Sequence, residues 1–76
     1  MSSSKNKAFC QFGEALRAER KEKGFTQEKL ALEADIDRSH MSGLERGEEN
    51  VSLLTLLKIA AVLDSKPSKI LERAGL

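Results

Sequence analysis

The segment spanning residues 26–47 constrains the fold of this chain more than any other stretch. Leu30 and Ala34 lie four residues apart and predict the apolar face of a short helix. Met41 and Leu44 lie three apart and predict the inner face of a second short helix, over residues 38–46. The first face consists mostly of small side chains, which let the second helix approach closely. The segment therefore predicts two closely packed helices.

The turn between these helices has the sequence Asp35-Ile36-Asp37. Ile36 is apolar, so we expect it to fill the space between the helices. Asp35 tolerates a left-handed backbone better than most residues, and Asp37 is a strong N-cap for the second helix. Thr26 is expected to cap the first helix in the same way. Two short helices that cross at a steep angle and are joined by so short a turn are typical of a helix-turn-helix motif.

The flanking sequence predicts three more helices, so the expected fold is all-α, a compact five-helix bundle. These helices are expected at about residues 7–23, 53–63 and 67–74. Phe9, Phe12 and Leu16 supply the apolar stripe of the first one. Residues 1–6 are small and polar and are interpreted as a flexible tail. The rest, residues 7–76, is expected to form one domain.

The fourth predicted helix carries more apolar side chains than a single contact needs. Its expected core wall consists of Leu53, Leu56, Leu57, Ile59, Ala60 and Leu63. The additional apolar side chains indicate that this helix either lies at the centre of the core or also contacts a neighbouring subunit. The fifth helix is too short to be stable alone in water and must dock on something. We therefore expect a homodimer whose interface consists of Val62, Leu63, Ile70 and Leu71.

Size and composition limit what else can stabilise a chain of 76 residues. A domain of this length buries only about 60% of its unfolded surface, so its stability is marginal. One cysteine and one histidine cannot form an internal disulfide or an ordinary structural zinc site. We expect no metal, cofactor or small-molecule ligand, and we expect oligomerisation to supply the missing stability.

Several functional classes are disfavoured by the sequence. It has no stretch long and apolar enough for a membrane span and no secretory signal, so a cytoplasmic protein is expected. It has no nucleophile–base pair, metal cluster or phosphate loop, and the chain is short for an active-site pocket. We therefore expect that this protein is not an enzyme.

The outward face of the second helix of the motif favours a binding function. It consists of Arg38, Ser39, Ser42, Gly43 and Arg46. Small polar side chains between arginines suit close approach to base edges and phosphates. The alternative is a solvated helix with no role for its surface. The charge distribution argues against nucleic acid, because residues 25–50 carry a net charge of −4 within a chain of +1.

The pattern of residues across the chain resembles the Cro and phage-repressor class of helix-turn-helix regulators, the XRE family. The matching residues are Gln27, Leu30, Ala31, Ala34, Ile36, Met41, Ser42, Leu44, Glu45, Gly47, Ser52, Leu53, Leu56, Lys58, Ile59, Ala60 and Leu63. Within this class, residues 37–47 and 50–53 are most similar to the controller proteins of restriction–modification systems. Such proteins usually have threonine and tyrosine where this chain has Ser39 and His40, and they often have arginine where it has Glu49.

The resemblance implies a homodimer that binds a palindromic operator in double-stranded DNA. It implies that the second helix of the motif enters the major groove, with bases read by Arg38, Ser39, Ser42 and Arg46. The implied phosphate contacts come from Gln27, His40, Asn50 and Ser52. A partly exposed surface histidine is an equally good interpretation of His40. The resemblance also implies that Glu45 pairs with Arg20 inside the motif, which answers part of the charge objection.

Two acidic residues, Glu48 and Glu49, remain without a role, and we expect them to weaken DNA binding. A second function is open as well, a protein-interaction module such as an antitoxin that keeps the fold without reading DNA. The acidic middle of the chain and the apolar surplus near its end favour that alternative.

Overall fold

The computed structural model describes residues 6–76, which form five α-helices. They are α1 (Lys7–Glu22), α2 (Gln27–Ala34), α3 (Arg38–Glu45), α4 (Leu53–Val62) and α5 (Pro67–Arg73). The all-α prediction is confirmed, and the helix ends lie within about one residue of those expected from the sequence. The predicted tail lies outside the described residues except for Asn6, whose side chain caps α1 by accepting bonds from two backbone amides.

The ends of the two motif helices agree with most of the predicted turn chemistry. The Thr26 hydroxyl accepts a hydrogen bond from the Lys29 amide at 3.0 Å, as expected of a cap. Asp35 adopts the left-handed conformation, with φ of 59°. The expectation for Asp37 was wrong in one respect, because among residues 6–76 its side chain makes no cap hydrogen bond. Asp37 is exposed, so water can satisfy both its carboxylate and the first amides of α3.

One hydrophobic core joins all five helices. Its fully buried large side chains include Leu16, Leu30, Met41, Leu44, Ile59, Leu63 and Ile70. Ile36 is half-buried and packs against this core, which confirms its predicted place in the turn. The core fixes α2 and α3 relative to α1, α4 and α5.

The prediction for α4 was partly wrong, because Leu53 is 71% exposed and Leu57 is 47% exposed. A helix that is apolar nearly all round can turn only one side to the core, and here that side carries Leu56, Ile59 and Ala60. The predicted interface also needs correction. Leu63 and Ile70 were expected at an interface, but they are 1% and 0% exposed and belong to the core of the single chain. They have no surface left to contribute to a partner.

α1 and α3 approach each other backbone to backbone at Gly13. A Cβ atom added at Gly13 would lie 2.6 Å from the carbonyl oxygen of Glu45, which is too close for any side chain. This contact places the C-terminal end of α3 directly against α1. Within residues 6–76, no helix combines the length and apolarity that crossing a bilayer requires.

Candidate DNA-binding surface

Five of the side chains singled out from the sequence line one open cleft of about 430 Å³, which we call the recognition cleft. The lining residues are Gln27, Arg38, Ser39, Ser42 and Arg46. Gln27 comes from the first position of α2, and Arg46 follows the last residue of α3. The α3 positions recur at four-residue spacing, which places them on one side of that helix. The fold therefore brings the predicted base-reading residues and one predicted phosphate-binding residue together.

A buried carboxylate, Glu45, joins the inner side of α3 to α1. Its two oxygens accept bonds from Arg20 Nε at 2.6 Å and Arg20 Nη2 at 3.1 Å. The third Arg20 nitrogen, Nη1, donates to the Phe25 carbonyl at 2.7 Å, just before α2 begins. One guanidinium thus ties α1 to both helices of the motif. A bidentate pair of this kind fixes direction as well as distance.

Gln27 connects this buried network to the recognition cleft. Its side-chain Nε2 donates to Glu45 at 2.9 Å. A carboxamide nitrogen carries two hydrogens, so the second one is left for an acceptor in the cleft. The Glu45 bond therefore fixes the Gln27 amide in a position where it could also donate to a phosphate oxygen.

The outer side of α3 ends with Arg46, which already has intramolecular partners. Its guanidinium donates to the Ser42 hydroxyl, one turn back along the helix. It also donates from Nη2 to the Glu48 carboxylate at 3.0 Å. The hydrogen bond with Glu48, together with its charge, raises the pKa of Arg46, so this side chain is cationic at any physiological pH.

His40 is paired with Glu49 in the same manner. Nδ1 of His40 lies 2.5 Å from Oε1 of Glu49, and both side chains are partly exposed. The Glu49 side chain lies over Gly43, where an added Cβ would be 2.8 Å from the Glu49 Cδ. Gly43 was expected on the open face of α3, but it is buried, because Glu49 folds back from the following loop and covers it.

The pairing of the loop glutamates was not predicted. Glu48 is two residues from Arg46, so proximity in sequence was a usable signal for that pair. Glu49 is nine residues from His40, across the end of a helix, and no local pattern indicates such a contact. The contact between Glu49 and His40 could therefore be recognised only from the fold.

The two remaining predicted phosphate-binding residues lie near the start of α4. Asn50 is exposed in the loop before this helix. The Ser52 hydroxyl accepts from the Thr55 amide at 3.0 Å and donates to the Thr55 hydroxyl, also at 3.0 Å. Ser52 is thus occupied as a cap, and the first backbone amides of α4 are the donors that remain for an anion.

A family model described as helix-turn-helix matches residues 16–70, most of the chain. The chain belongs to this helix-turn-helix family. The matched region includes α2, α3 and α4 entirely, together with part of α1 and the start of α5. The prediction of an XRE-type helix-turn-helix protein is confirmed.

Individual relatives of this helix-turn-helix protein include controllers of restriction–modification systems, which confirms the resemblance found in the sequence. The control protein C.BamHI of Bacillus amyloliquefaciens is 42% identical over 62 residues, which are 80% of this chain and 76% of the relative. The solved structure of the controller C.AhdI from Aeromonas hydrophila has a TM-score of 0.80 and 45% identity, covering 82% of this chain and 94% of that one.

The fold is also similar to that of SinR, the master regulator for biofilm formation, solved in complex with DNA. That similarity has a TM-score of 0.76 and 36% identity, covering 79% of this chain and 97% of the chain in that structure. The described part of this helix-turn-helix protein, residues 6–76, has no group of three or more His, Cys, Asp or Glu side chains placed to hold a metal ion.

Proposed function

We propose that this protein is a homodimeric, sequence-specific transcriptional regulator that reads a palindromic DNA operator and controls a restriction–modification system. The observation that carries this proposal is the recognition cleft, where the predicted base-reading side chains meet on one side of α3. The kinship with controller proteins supports the same conclusion from a separate direction.

In the proposed complex, α3 lies in the major groove and presents Arg38 first. A guanidinium can donate two parallel bonds to N7 and O6 of guanine, a pairing worth about 1–3 kcal/mol of discrimination against other bases. Ser39 and Ser42 are short enough to let the helix approach the base edges closely. Arg46, at the far end of the cleft, completes the base-reading face.

Phosphate contacts hold α3 in register in this proposal. Gln27 donates its second amide hydrogen from the start of α2, while the bond to Glu45 holds it in place. Asn50 and the first amides of α4 bind the phosphates at the other end of the surface. His40 contributes a further contact from the middle of α3, once it is released from Glu49.

The proposed dimer uses the exposed apolar side of α4. Leu54, Leu57 and Ala61 recur at three- and four-residue spacing and are all exposed. Val62 and Leu71, which the sequence also placed at the interface, are half-buried and remain part of the proposal. A two-fold dimer of this kind presents two α3 helices about 34 Å apart, the repeat of one DNA turn.

Dimerisation also suggests how the regulator is controlled. Occupancy of the operator then depends steeply on protein concentration, so the protein responds to its own accumulation in the cytoplasm. No small-molecule effector is needed for such a switch.

Selection of bound sequences from random duplex DNA tests the proposal directly. We expect a palindromic consensus with half-site centres about one helical turn apart. The Arg38→Ala variant should lose its preference at one guanine in each half-site, at a cost of about 1–3 kcal/mol. The matched control is Arg17→Ala, which removes an exposed arginine from α1 and should keep the wild-type base preference. An unchanged consensus for Arg38→Ala would refute the base-reading assignment.

The exposed leucines of α4 also fit a second candidate, a protein-interaction module that keeps the fold. The two candidates differ in one simple measurement. If the wild-type protein leaves the mobility of duplex DNA unchanged in a gel at low salt, the interaction module is favoured. A shift that depends on sequence favours the regulator.

A further inference from the structure

We propose that Glu48 and Glu49 compete with DNA phosphates, holding two partly exposed side chains, Arg46 after the end of α3 and His40 within it, until DNA replaces the two glutamates. Throughout this section the pair is called the acidic loop. The proposal rests on the proposed function and adds a means of lowering DNA affinity, called here the brake. One of its contacts involves Arg46 of the recognition cleft, and the other involves His40, which lines a separate cleft. It assigns a role to two acids for which the sequence indicated none.

The first contact is between Glu49 and His40. The 2.5 Å separation makes Glu49 the partner of the His40 Nδ1 nitrogen, one of the two ring nitrogens able to donate to a phosphate oxygen. Glu49 also covers Gly43, so its carboxylate lies against the middle of α3. A DNA backbone that approaches this part of the helix meets an anion before it meets His40.

The second contact is between Glu48 and Arg46. The Arg46 guanidinium lines the recognition cleft and donates to Glu48 at 3.0 Å. Both side chains are about half exposed, so neither is held by the core. A carboxylate and a phosphate are equivalent acceptors for a guanidinium. A DNA phosphate can therefore compete with Glu48 for the Arg46 guanidinium.

The acidic loop lowers the affinity for every duplex, because each phosphate contact at His40 or Arg46 first requires a contact with Glu49 or Glu48 to open. It also flattens the dependence of binding on salt. Sequence-independent affinity comes from phosphate contacts that release counterions, and each contact steepens the salt dependence by about 0.9 in a log–log plot. A cation that is already paired with a carboxylate releases fewer counterions when it moves to a phosphate.

Gly43 allows the proposal to be tested without altering the net charge. A methyl group at this position would collide with the Glu49 side chain, whose Cδ lies 2.8 Å from the added Cβ and whose carboxylate is nearer still. Gly43→Ala should therefore displace Glu49 from His40 while every charge stays in the chain. Alanine is also the better helix former, so this variant should fold.

The experiment measures binding of the full chain to a duplex without an operator, by fluorescence anisotropy between about 50 and 200 mM salt. Glu49→Gln and Glu48→Gln should each bind about two- to fivefold more tightly than the wild type, the range expected for opening one exposed ion pair. Each should steepen the salt dependence by up to about 0.9. Gly43→Ala should also bind more tightly, and it should add nothing further in the Glu49→Gln background.

Glu14→Gln is the matched control, since it removes one negative charge from an exposed position of α1 that lines a different cleft, beside Arg73. It should leave affinity and salt dependence close to those of the wild type. An equal gain in Glu14→Gln would overturn the proposal, because general charge would then explain the effect. Unchanged binding by both glutamate variants would overturn it as well, and so would unchanged or weaker binding by Gly43→Ala.

Failure of this proposal is distinguishable from failure of the proposed function. If Arg38→Ala loses base preference on a selected operator while the acidic-loop variants bind as the wild type does, only the brake is wrong. If the wild-type protein binds no duplex even at low salt, the regulatory function fails and the brake fails with it.

Discussion

Two glutamates at the end of α3 and just after it make side-chain pairs of opposite character, one buried and one exposed. On the inner side, Glu45 has a side chain that is 3% exposed, and it accepts three hydrogen bonds from Arg20 and Gln27. On the outer side, Glu49 has a side chain that is 44% exposed and is paired with His40, which is itself partly exposed. The two glutamates are four residues apart. Glu45 is buried and contributes to the fold, whereas Glu49 is exposed, so its partner can be replaced without uncovering the core. Four predictions test this difference.

The largest effect is expected when the inner pair is broken. Glu45→Ala should lower the free energy of unfolding by about 3–5 kcal/mol, because the Arg20 guanidinium would be left buried without its partner. Urea-induced unfolding followed by circular dichroism measures the loss. The matched control replaces both partners, Arg20→Met with Glu45→Leu, and should recover much of the stability. A loss below about 1 kcal/mol for Glu45→Ala would place the inner pair in the same class as an exposed one.

A second buried carboxylate, Glu19, tests whether burial itself makes the difference. Arg73 donates to Glu19 at 2.8 Å and the Lys69 ammonium lies 3.8 Å away, so this group joins α1 to α5. Burial raises the pKa of Glu19, but the Ser65 hydroxyl and the cationic Arg73 and Lys69 together hold it below the ordinary value of 4.5. The folded state thus favours the ionised form.

The lowered pKa of Glu19 makes the stability of the fold depend on pH in one direction. A lowered carboxyl pKa stabilises the fold above the unfolded-state value near 4.5, and the contribution is lost as pH falls through the lowered folded-state value. Glu19→Gln should cost about 1–3 kcal/mol at neutral pH, the value of a hydrogen bond to a charged group. Between neutral pH and about pH 3, the free energy of unfolding should decrease less for the variant than for the wild type. Equal losses in both proteins would exclude Glu19 as the titrating group.

The third prediction compares two helix caps, one with a side-chain hydrogen bond and one without. Thr26→Ala removes a hydroxyl that is bonded to the Lys29 amide, so it should lower the free energy of unfolding by about 1 kcal/mol. Asp37→Ala removes a carboxylate that forms no cap bond within residues 6–76, so it should cost less, about 0.5 kcal/mol or below. Thermal unfolding of the two variants side by side is sufficient. A larger loss for Asp37→Ala would mean that its carboxylate caps α3 in solution.

The smallest effect on folding is expected on the outer side. Glu49→Gln should change the free energy of unfolding by less than about 0.5 kcal/mol, because exposed pairs contribute little to stability. The same urea titration used for Glu45→Ala measures it. A destabilisation comparable to that of the inner pair would show that the acidic loop is part of the fold and is not free to exchange with DNA.

Much of the motif was predictable because its signals are local. Leu30, Ala34, Met41 and Leu44 are buried as their spacing indicates, and Asp35 takes the left-handed conformation that its short polar side chain tolerates. The side chains on the outer face of α3 could be chosen for the same reason, since helical spacing alone places Arg38 and Ser42 on one side.

The errors occurred where no local rule applies. α4 is apolar nearly all round, so its sequence fits several orientations, and only packing against α2 and α5 decides that Leu57 is exposed while Leu56 is buried. Leu63 and Ile70 belong to the core for the same reason. The cover of Gly43 by Glu49 depends on a loop that folds back, and helical periodicity carries no information about it.

The close approach of α1 and α3 at Gly13 has a consequence for how such a regulator can change its target. The orientation of α3 is set from behind, by backbone contact with α1 and by the Arg20–Glu45 bond. Arg38 and Ser39, which line the recognition cleft, are exposed. Substitutions there can accumulate without refolding the domain, so duplicated copies of this chain could diverge toward new operators while keeping one scaffold.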